Sequence, residues 1–265
     1  MEIGASSACF YPVETEKAFL NIAKLGFGCS EIFFNSPCEL KKPFLKELKA
    51  ISKAYSTSVT SLHPYTSAAE GYILFSGYER RFRDGIELYK SYFDAAATLG
   101  AKYIVLHGAK QIREITAEEY AERFAILDET AKGFGCRVAH ENVVNFVGQT
   151  PEFMKFIKKH IGDDFKMVLD IKQARRTGVD PIKFIEEMGS SIVHVHLSDY
   201  NKSCDCLPPS EKGLYDFKSL FTALDSIGYD GKCIIELYSS GFSNETEITE
   251  SAKYLEDILN KIKHN

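Results

Sequence analysis

The sequence predicts an α/β fold, a single (β/α)8 barrel of the TIM type running over residues 1–265 as one domain. Three observations predict it. Eight short apolar runs alternate with eight helical stretches, glycine follows several of the helices just before the next strand, and acidic or imidazole side chains fall at the end of one strand candidate after another. Eight βα units close most economically as a barrel, in which all the strand ends converge on one mouth. An open doubly wound sheet is the alternative, and it usually carries a G-x-G-x-x-G turn after its first strand. The first turn here reads SSACFYPVE and lacks that signature.

The units follow in order. Strand 3–7 leads to helix 15–25, strand 30–34 to helix 43–55, strand 59–63 to helix 78–99, and strand 103–107 to helix 117–134. Strand 137–141 leads to helix 151–160, strand 166–170 to helix 181–188, strand 192–197 to helix 217–227, and strand 232–237 to helix 245–263. Each strand is short and rich in Val, Ile, Leu or Phe, as a strand buried on both faces requires. The phrases LGFG, LGAK, GFGC and IGYDG place glycine after the last apolar helical residue, which is C-cap chemistry. No linker or low-complexity tract interrupts the series.

With 45% hydrophobic and 26% charged residues the chain has enough apolar side chain for a large core, and disorder is not expected. The start MEIGASSACF has no basic segment leading into an apolar run, and no stretch approaches the roughly 20 apolar residues that span a bilayer. A cytoplasmic protein without membrane partners is the expectation. Seven cysteines form no C-x-x-C pair and are odd in number, which argues for reduced packing residues over a closed disulfide framework. The net charge of −5 and the absence of a long basic run speak against a nucleic-acid surface. The cluster Arg80, Arg81 and Arg83 reads as the solvated face of a helix start.

The chemistry rests on His63, His107, Glu141, Asp170, His196 and Glu236, each at or near the C-terminal end of a different strand candidate. A charged side chain at the end of a buried strand is costly unless it is paired or metal-bound, so a shared polar site accounts for all six. His63, before Pro64, also reads as a hydrogen-bonded loop residue, and His107, before Gly108, as a strand cap. Glu141 in VAHEN, Glu236 in IIELY and Asp170 in MVLDIKQA need partners; a buried ion pair to Lys or Arg is their structural alternative. On strand 192–197, His194 and His196 point the same way, and the one at the end reaches the mouth while His194 sits in the barrel interior. His140 should point outward to a helix.

HENV with Glu141, LDIKQA with Asp170 and Gln173, HVHLSD with His196 and Asp199, and IIELY with Glu236 resemble the xylose-isomerase-like barrels, a group that includes sugar-phosphate isomerases and epimerases and endonuclease IV. SLHPY and VLHGA match the third and fourth strands, so the resemblance runs over nearly the whole chain. It implies one divalent metal held by Glu141, Asp170, His196 and Glu236. The resemblance implies Mn²⁺ first, and three oxygen donors with one imidazole also suit a harder ion such as Mn²⁺, Mg²⁺ or Co²⁺ better than a thiolate-preferring one, with Zn²⁺ as a further alternative. It also implies a small sugar or sugar phosphate as ligand; His63, His107 and Gln173 are the candidates to bind it, and Arg175 and Arg176, just beyond Gln173, either reach it or are plain helix charges.

Two departures matter. Gln173 stands where relatives often carry a histidine, and an amide is a poor metal ligand. The segment SDYNKSCDCLPPSEKGLYDF contains no histidine where endonuclease IV has an Asp-x-His pair. A repair nuclease therefore lacks expected ligands. The expected activity is enediolate chemistry with Glu141 and Glu236 as the proton-transfer pair, giving an epimerase or an aldose–ketose or hydroxypyruvate-type isomerase. An inosose-type dehydratase and a non-catalytic sugar-binding subunit are the other readings. The long segment PYTSAAEGYILFSGYER offers Tyr65, Tyr72 and Phe75 for a lid, for a contact between copies in a homo-oligomer, or for plain loop packing. Ser239, Ser240, Gly241 and Lys202 are the candidates for a phosphate handle.

Overall fold

The computed structural model describes residues 1–263. The apolar runs form β1 (Glu2–Ser6), β2 (Cys29–Phe33), β3 (Ser58–His63), β4 (Tyr103–Leu106), β5 (Arg137–Glu141), β6 (Met167–Asp170), β7 (Ile192–Leu197) and β8 (Lys232–Ile235). They pair in parallel and in chain order, and β8 returns to β1 through the register Glu2↔Lys232 to Ala5↔Ile235, which closes the barrel. No sheet edge is left open.

Helices α1 (Thr15–Lys24), α2 (Lys42–Tyr55), α4 (Glu79–Leu99), α5 (Ala117–Lys132), α6 (Pro151–Ile161), α8 (Pro181–Met188), α9 (Phe217–Ser226) and α10 (Thr246–Lys263) follow the eight strands in turn. Every one of these sixteen elements lies within two residues of its sequence expectation. The glycine caps are also seen: Gly100 takes φ +85° and donates its N–H to the Ala96 carbonyl, closing α4. Two short helices were not expected. One is α3 (Glu70–Ile73), inside the long segment after β3; the other is α7 (Ile171–Arg176), directly after β6.

Strand alternation sorts the side chains into two populations. Outward residues pack under the helices in the large core that holds Phe19, Leu48, Phe93, Phe124, Phe165 and Phe221. Inward residues fill the barrel, where Val105, Ala139 and Val168 make a separate apolar cluster. His140 follows this rule and faces outward: its Nε2 lies 2.7 Å from the Tyr120 hydroxyl on α5, and its ring stacks on Phe124. Burial pushes its pKa down to about 4.

The segment after β3 is pinned by Glu70, whose carboxylate accepts from the Tyr89 hydroxyl at 2.7 Å and from the Gly108 N–H at 2.6 Å. Phe75 is buried and stacks on Tyr120, whereas Tyr72 is exposed beneath the Arg81 guanidinium. The segment after β7 is organised by buried Asp199, which accepts from the N–H groups of Tyr200, Ser210, Leu214 and Tyr215. A Cβ at Gly213 would sit 1.7 Å from Asp199 Oδ2, so only glycine fits that turn. Among the described residues no helix is long and apolar enough to cross a membrane, and all seven cysteines are free.

Candidate metal and substrate site

Glu141 ends β5, Asp170 ends β6, His196 lies one residue before the end of β7, and Glu236 lies one residue beyond β8. Glu236 stays extended because its N–H still donates to the Leu197 carbonyl at 3.0 Å. All four side chains therefore arrive at one end of the barrel. His196 Nδ1 lies 3.5 Å from Glu141 Oε1, 3.7 Å from Glu236 Oε2 and 4.0 Å from Asp170 Oδ2. One ligand atom from each of the four falls within 4.8 Å of the others.

The donor set fits a divalent cation. Asp170 Oδ2 and His196 Nδ1 are buried with no hydrogen-bond partner, and Glu141 Oε2 is buried with the His107 imidazole close beside it, 3.0 Å away. A buried polar atom in that condition costs about 1–3 kcal/mol. A cation among them satisfies all three at once, and three carboxylates with one imidazole form a hard, mainly oxygen donor set. The fourth such atom, His194 Nδ1, lies deeper in the barrel.

The orientation of these ligands is set by groups behind them. Asp170 Oδ1 caps α7 by accepting the Gln173 N–H at 2.9 Å, which leaves Oδ2 for the site. Asn142 is buried and holds Asp170 from the side, accepting from its N–H at 2.8 Å and donating to its carbonyl at 2.9 Å. Glu31, fully buried on β2, accepts from His196 Nε2 at 3.1 Å, from the Ser61 hydroxyl at 2.8 Å and from His194 Nε2 at 3.2 Å. A carboxylate on the far nitrogen fixes the imidazole's tautomer and directs Nδ1 at the cluster.

A second histidine pair completes one wall. His107 Nε2 lies 3.0 Å from Glu141 Oε2 and 3.0 Å from His63 Nε2, while His63 Nδ1 lies 3.4 Å from the Pro64 carbonyl. Burial would lower His107, but Glu141 outweighs it and raises the pKa. Burial and the neighbouring His107 lower His63. Of the two, His107 therefore takes up a proton more readily than His63. Glu141 is raised by burial, yet His107 and His196 overcome this and hold it well below the usual carboxylate range. Burial pushes Asp170 up to about 6.

Of the four, Glu141 and Glu236 line a cavity of about 450 Å³ that is also walled by Tyr11, Phe33, Asn35, Tyr65, Ser67 and Tyr238. His63, His107 and Gln173 line it; the Gln173 Oε1 also accepts from the Val144 N–H at 3.2 Å. Arg175 is not on its wall, and its guanidinium lies 3.2 Å over the Tyr200 ring. Lys202, Ser239 and Ser240 are exposed and lie outside the wall as well. A larger groove of about 760 Å³ runs between residues 207–212 and α10, with none of the four donors on its sides.

Sequence reasoning missed two residues. Glu31 in CSEIFF carries the signal that singled out Glu141, a carboxylate in an apolar strand, but in mid-strand. Lys172 lies within LDIKQA, where nothing in the sequence sets it apart from a solvated lysine. It is buried, with Nζ 3.1 Å from Glu236 Oε2 and 3.5 Å from Asp170 Oδ2. Burial would lower its pKa, but Asp170 and Glu236 outweigh that and keep the ammonium charged.

A closed eight-stranded barrel with carboxylates and imidazoles gathered at the strand ends defines a class of protein, and the sequence comparison agrees. The chain belongs to the xylose isomerase-like TIM barrel family, whose profile matches residues 19–258. An uncharacterized protein of Methanocaldococcus jannaschii is 26% identical over 99% of this chain and 92% of its own length. Fructoselysine 3-epimerase of Escherichia coli O157:H7 is 21% identical over 94% of each chain. The crystal structure of a D-tagatose 3-epimerase-like protein superposes with a TM-score of 0.78 at 24% identity, covering 100% of this chain and 99% of its own.

Proposed function

We propose that the protein is a divalent-metal-dependent epimerase or isomerase of a small sugar, with Glu141, Asp170, His196 and Glu236 as the ligands of one ion, Mn²⁺ by preference. The observation that supports this most directly is the convergence of one ligand atom from each of the four residues within 4.8 Å, with Asp170 Oδ2 and His196 Nδ1 buried and without a hydrogen-bond partner, beside a cavity that Glu141 and Glu236 line. The ion, when bound, polarises the carbonyl and neighbouring hydroxyl of the substrate and makes the adjacent C–H more acidic.

The chain's own groups do the rest. Glu141 arrives from β5 and Glu236 from the end of β8, across the barrel from each other. One carboxylate removes the proton, and the other returns a proton to the opposite face, which inverts the carbon. Return to the neighbouring carbon gives isomerisation instead. His107 supports Glu141 in its ionised form, and His63 and Gln173 present hydrogen-bonding groups to sugar hydroxyls. Tyr11, Phe33, Tyr65 and Tyr238 offer ring faces to the C–H faces of the sugar. Lys172, the single Lys or Arg on the described cavity wall, is already paired with Asp170 and Glu236, which favours an uncharged sugar over a phosphorylated one.

The test is proton exchange. The protein is stripped of metal, reloaded with Mn²⁺ and incubated in D₂O with ketoses, ketose phosphates, hydroxypyruvate and inosose, and deuterium uptake is followed by NMR. Uptake at one carbon that requires the metal, and that falls by roughly 10²–10⁴ in Glu236→Gln, is the expected result. Uptake that persists in Glu236→Gln sinks the assignment of the proton-transfer pair.

A further inference from the structure

We propose that Lys172 is a built-in competitor for the metal: its ammonium draws on Asp170 Oδ2 and Glu236 Oε2, oxygens the ion also needs, and so sets how tightly the ion is held. The inference rests on the reading of the four-residue group as a metal seat.

Four observations carry it. Lys172 is 3% exposed, so its charge is not diluted by water as a surface lysine's would be. Nζ is placed by the first turn of α7, which Asp170 itself caps, so the ammonium and the ligand carboxylate are fixed by the same few residues. Its contacts, 3.1 Å to Glu236 Oε2 and 3.5 Å to Asp170 Oδ2, are to carboxylates of the four-residue group, and these same oxygens lie 3.7 and 4.0 Å from His196 Nδ1. Its other neighbour, the Tyr238 ring 4.8 Å from Nζ, stands on the cavity wall and gives the ammonium a second place to rest.

Charge bookkeeping gives the direction. Glu141, Asp170 and Glu236 bring three negative charges to the seat, and Lys172 offsets part of them before any ion arrives. An ion entering the seat must take Asp170 Oδ2 and Glu236 Oε2 from the ammonium and then remain beside a positive charge. Both effects weaken binding. A lysine that merely held the two carboxylates in position would do the reverse, because its loss would disorder the ligands and weaken the ion. The sign of the change on removing Lys172 therefore separates competition from positioning.

The experiment is calorimetric titration of MnCl₂ into chelator-stripped full-length protein at pH 8, for wild type, Lys172→Met, Lys172→Gln and Lys172→Arg. Lys172→Met and Lys172→Gln are expected to bind Mn²⁺ at least tenfold more tightly, and Lys172→Arg to stay within about threefold of wild type. Removing the ammonium leaves two carboxylates uncompensated, so Mn²⁺ should also raise the melting temperature of Lys172→Met by more than it raises that of wild type. If Lys172→Met does not fold without metal, the Lys172→Gln titration decides. Equal or weaker Mn²⁺ binding by the neutral variants overturns the competition while leaving the metal seat intact. Absence of one-to-one Mn²⁺ binding in wild type and in every variant overturns the inference together with the metal reading.

Discussion

Replacing Glu31 with glutamine tests whether the barrel interior tunes the site above it. Glu31 is fully buried, and its Oε2 lies 3.1 Å from His196 Nε2, on the side of the ring away from the other ligands. Glutamine keeps the shape and can still accept the N–H, but it removes the negative charge that makes Nδ1 a stronger base. Loss of such a partner typically weakens metal binding by roughly 10–100-fold, or about 1.4–2.7 kcal/mol. An amide that instead turns its NH₂ toward Nε2 would force the proton onto Nδ1 and weaken binding further, so the sign is the same in either orientation. Alanine is a harsher change. It strips the acceptor from His194, His196 and Ser61 together and should cost about 3–5 kcal/mol of stability. The assay is calorimetric titration of Mn²⁺ into chelator-stripped Glu31→Gln, with circular dichroism to show that the fold is kept. An affinity within twofold of wild type, compared at a pH where neither protein releases a proton on binding, would refute the argument that Glu31 acts through His196.

Two further outcomes concern protons. Burial would lower His196, but Glu31, Glu236 and Glu141 outweigh it and hold its pKa well above the ordinary value, so the ion must displace a proton from Nδ1. Mn²⁺ affinity should rise by about tenfold per pH unit through neutrality, and titrations in buffers of different ionisation enthalpy should show one proton released per ion at pH 7; no release would contradict the raised pKa of His196. His140 has a folded pKa of about 4 against an ordinary value of 6.5, so its neutral form contributes stability that is full above pH 6.5 and is lost as pH falls toward 4. His140→Gln should reduce the acid slope of chemical stability by up to about 1.4 kcal/mol per pH unit in that window, and identical slopes for the two proteins would contradict the assignment.

The barrel was legible because strands buried on both faces read as unbroken apolar runs, and because Gly100 and Gly228 mark helix ends that only a left-handed residue closes. The four clustered residues were legible for a related reason: a carboxylate directly after an apolar run has nowhere inexpensive to go. Glu31 escaped since its partner His196 is 165 positions away in the chain and only barrel closure brings them together. Lys172 escaped since a lysine at a helix start is ordinarily solvated, and its burial depends on α7, whose sequence signal is the Asp-x-x-Gln of Asp170 and Gln173. Arg175 shows the converse. It shares that helix, yet one turn further along it meets Tyr200 instead of the cavity.

Glu31 and Lys172 act on the same ion through different ligands and with opposite sign. Glu31 works through His196, and Lys172 works through Asp170 and Glu236. Neither is within ion-pair distance of the other, but His196 Nδ1 lies 3.7 Å from Glu236 Oε2, so the two effects, though opposite in sign, share one network and a coupling of about 0.5–3 kcal/mol is expected beside their sum. The double variant Glu31→Gln with Lys172→Met should therefore bind Mn²⁺ with an affinity between those of the two single variants. Additivity would mean that the barrel sets its metal affinity with two independent charges, one beneath the imidazole and one beside the carboxylates. A large departure would mean that the ligands move together, because a shift in His196 would then change what Lys172 can reach.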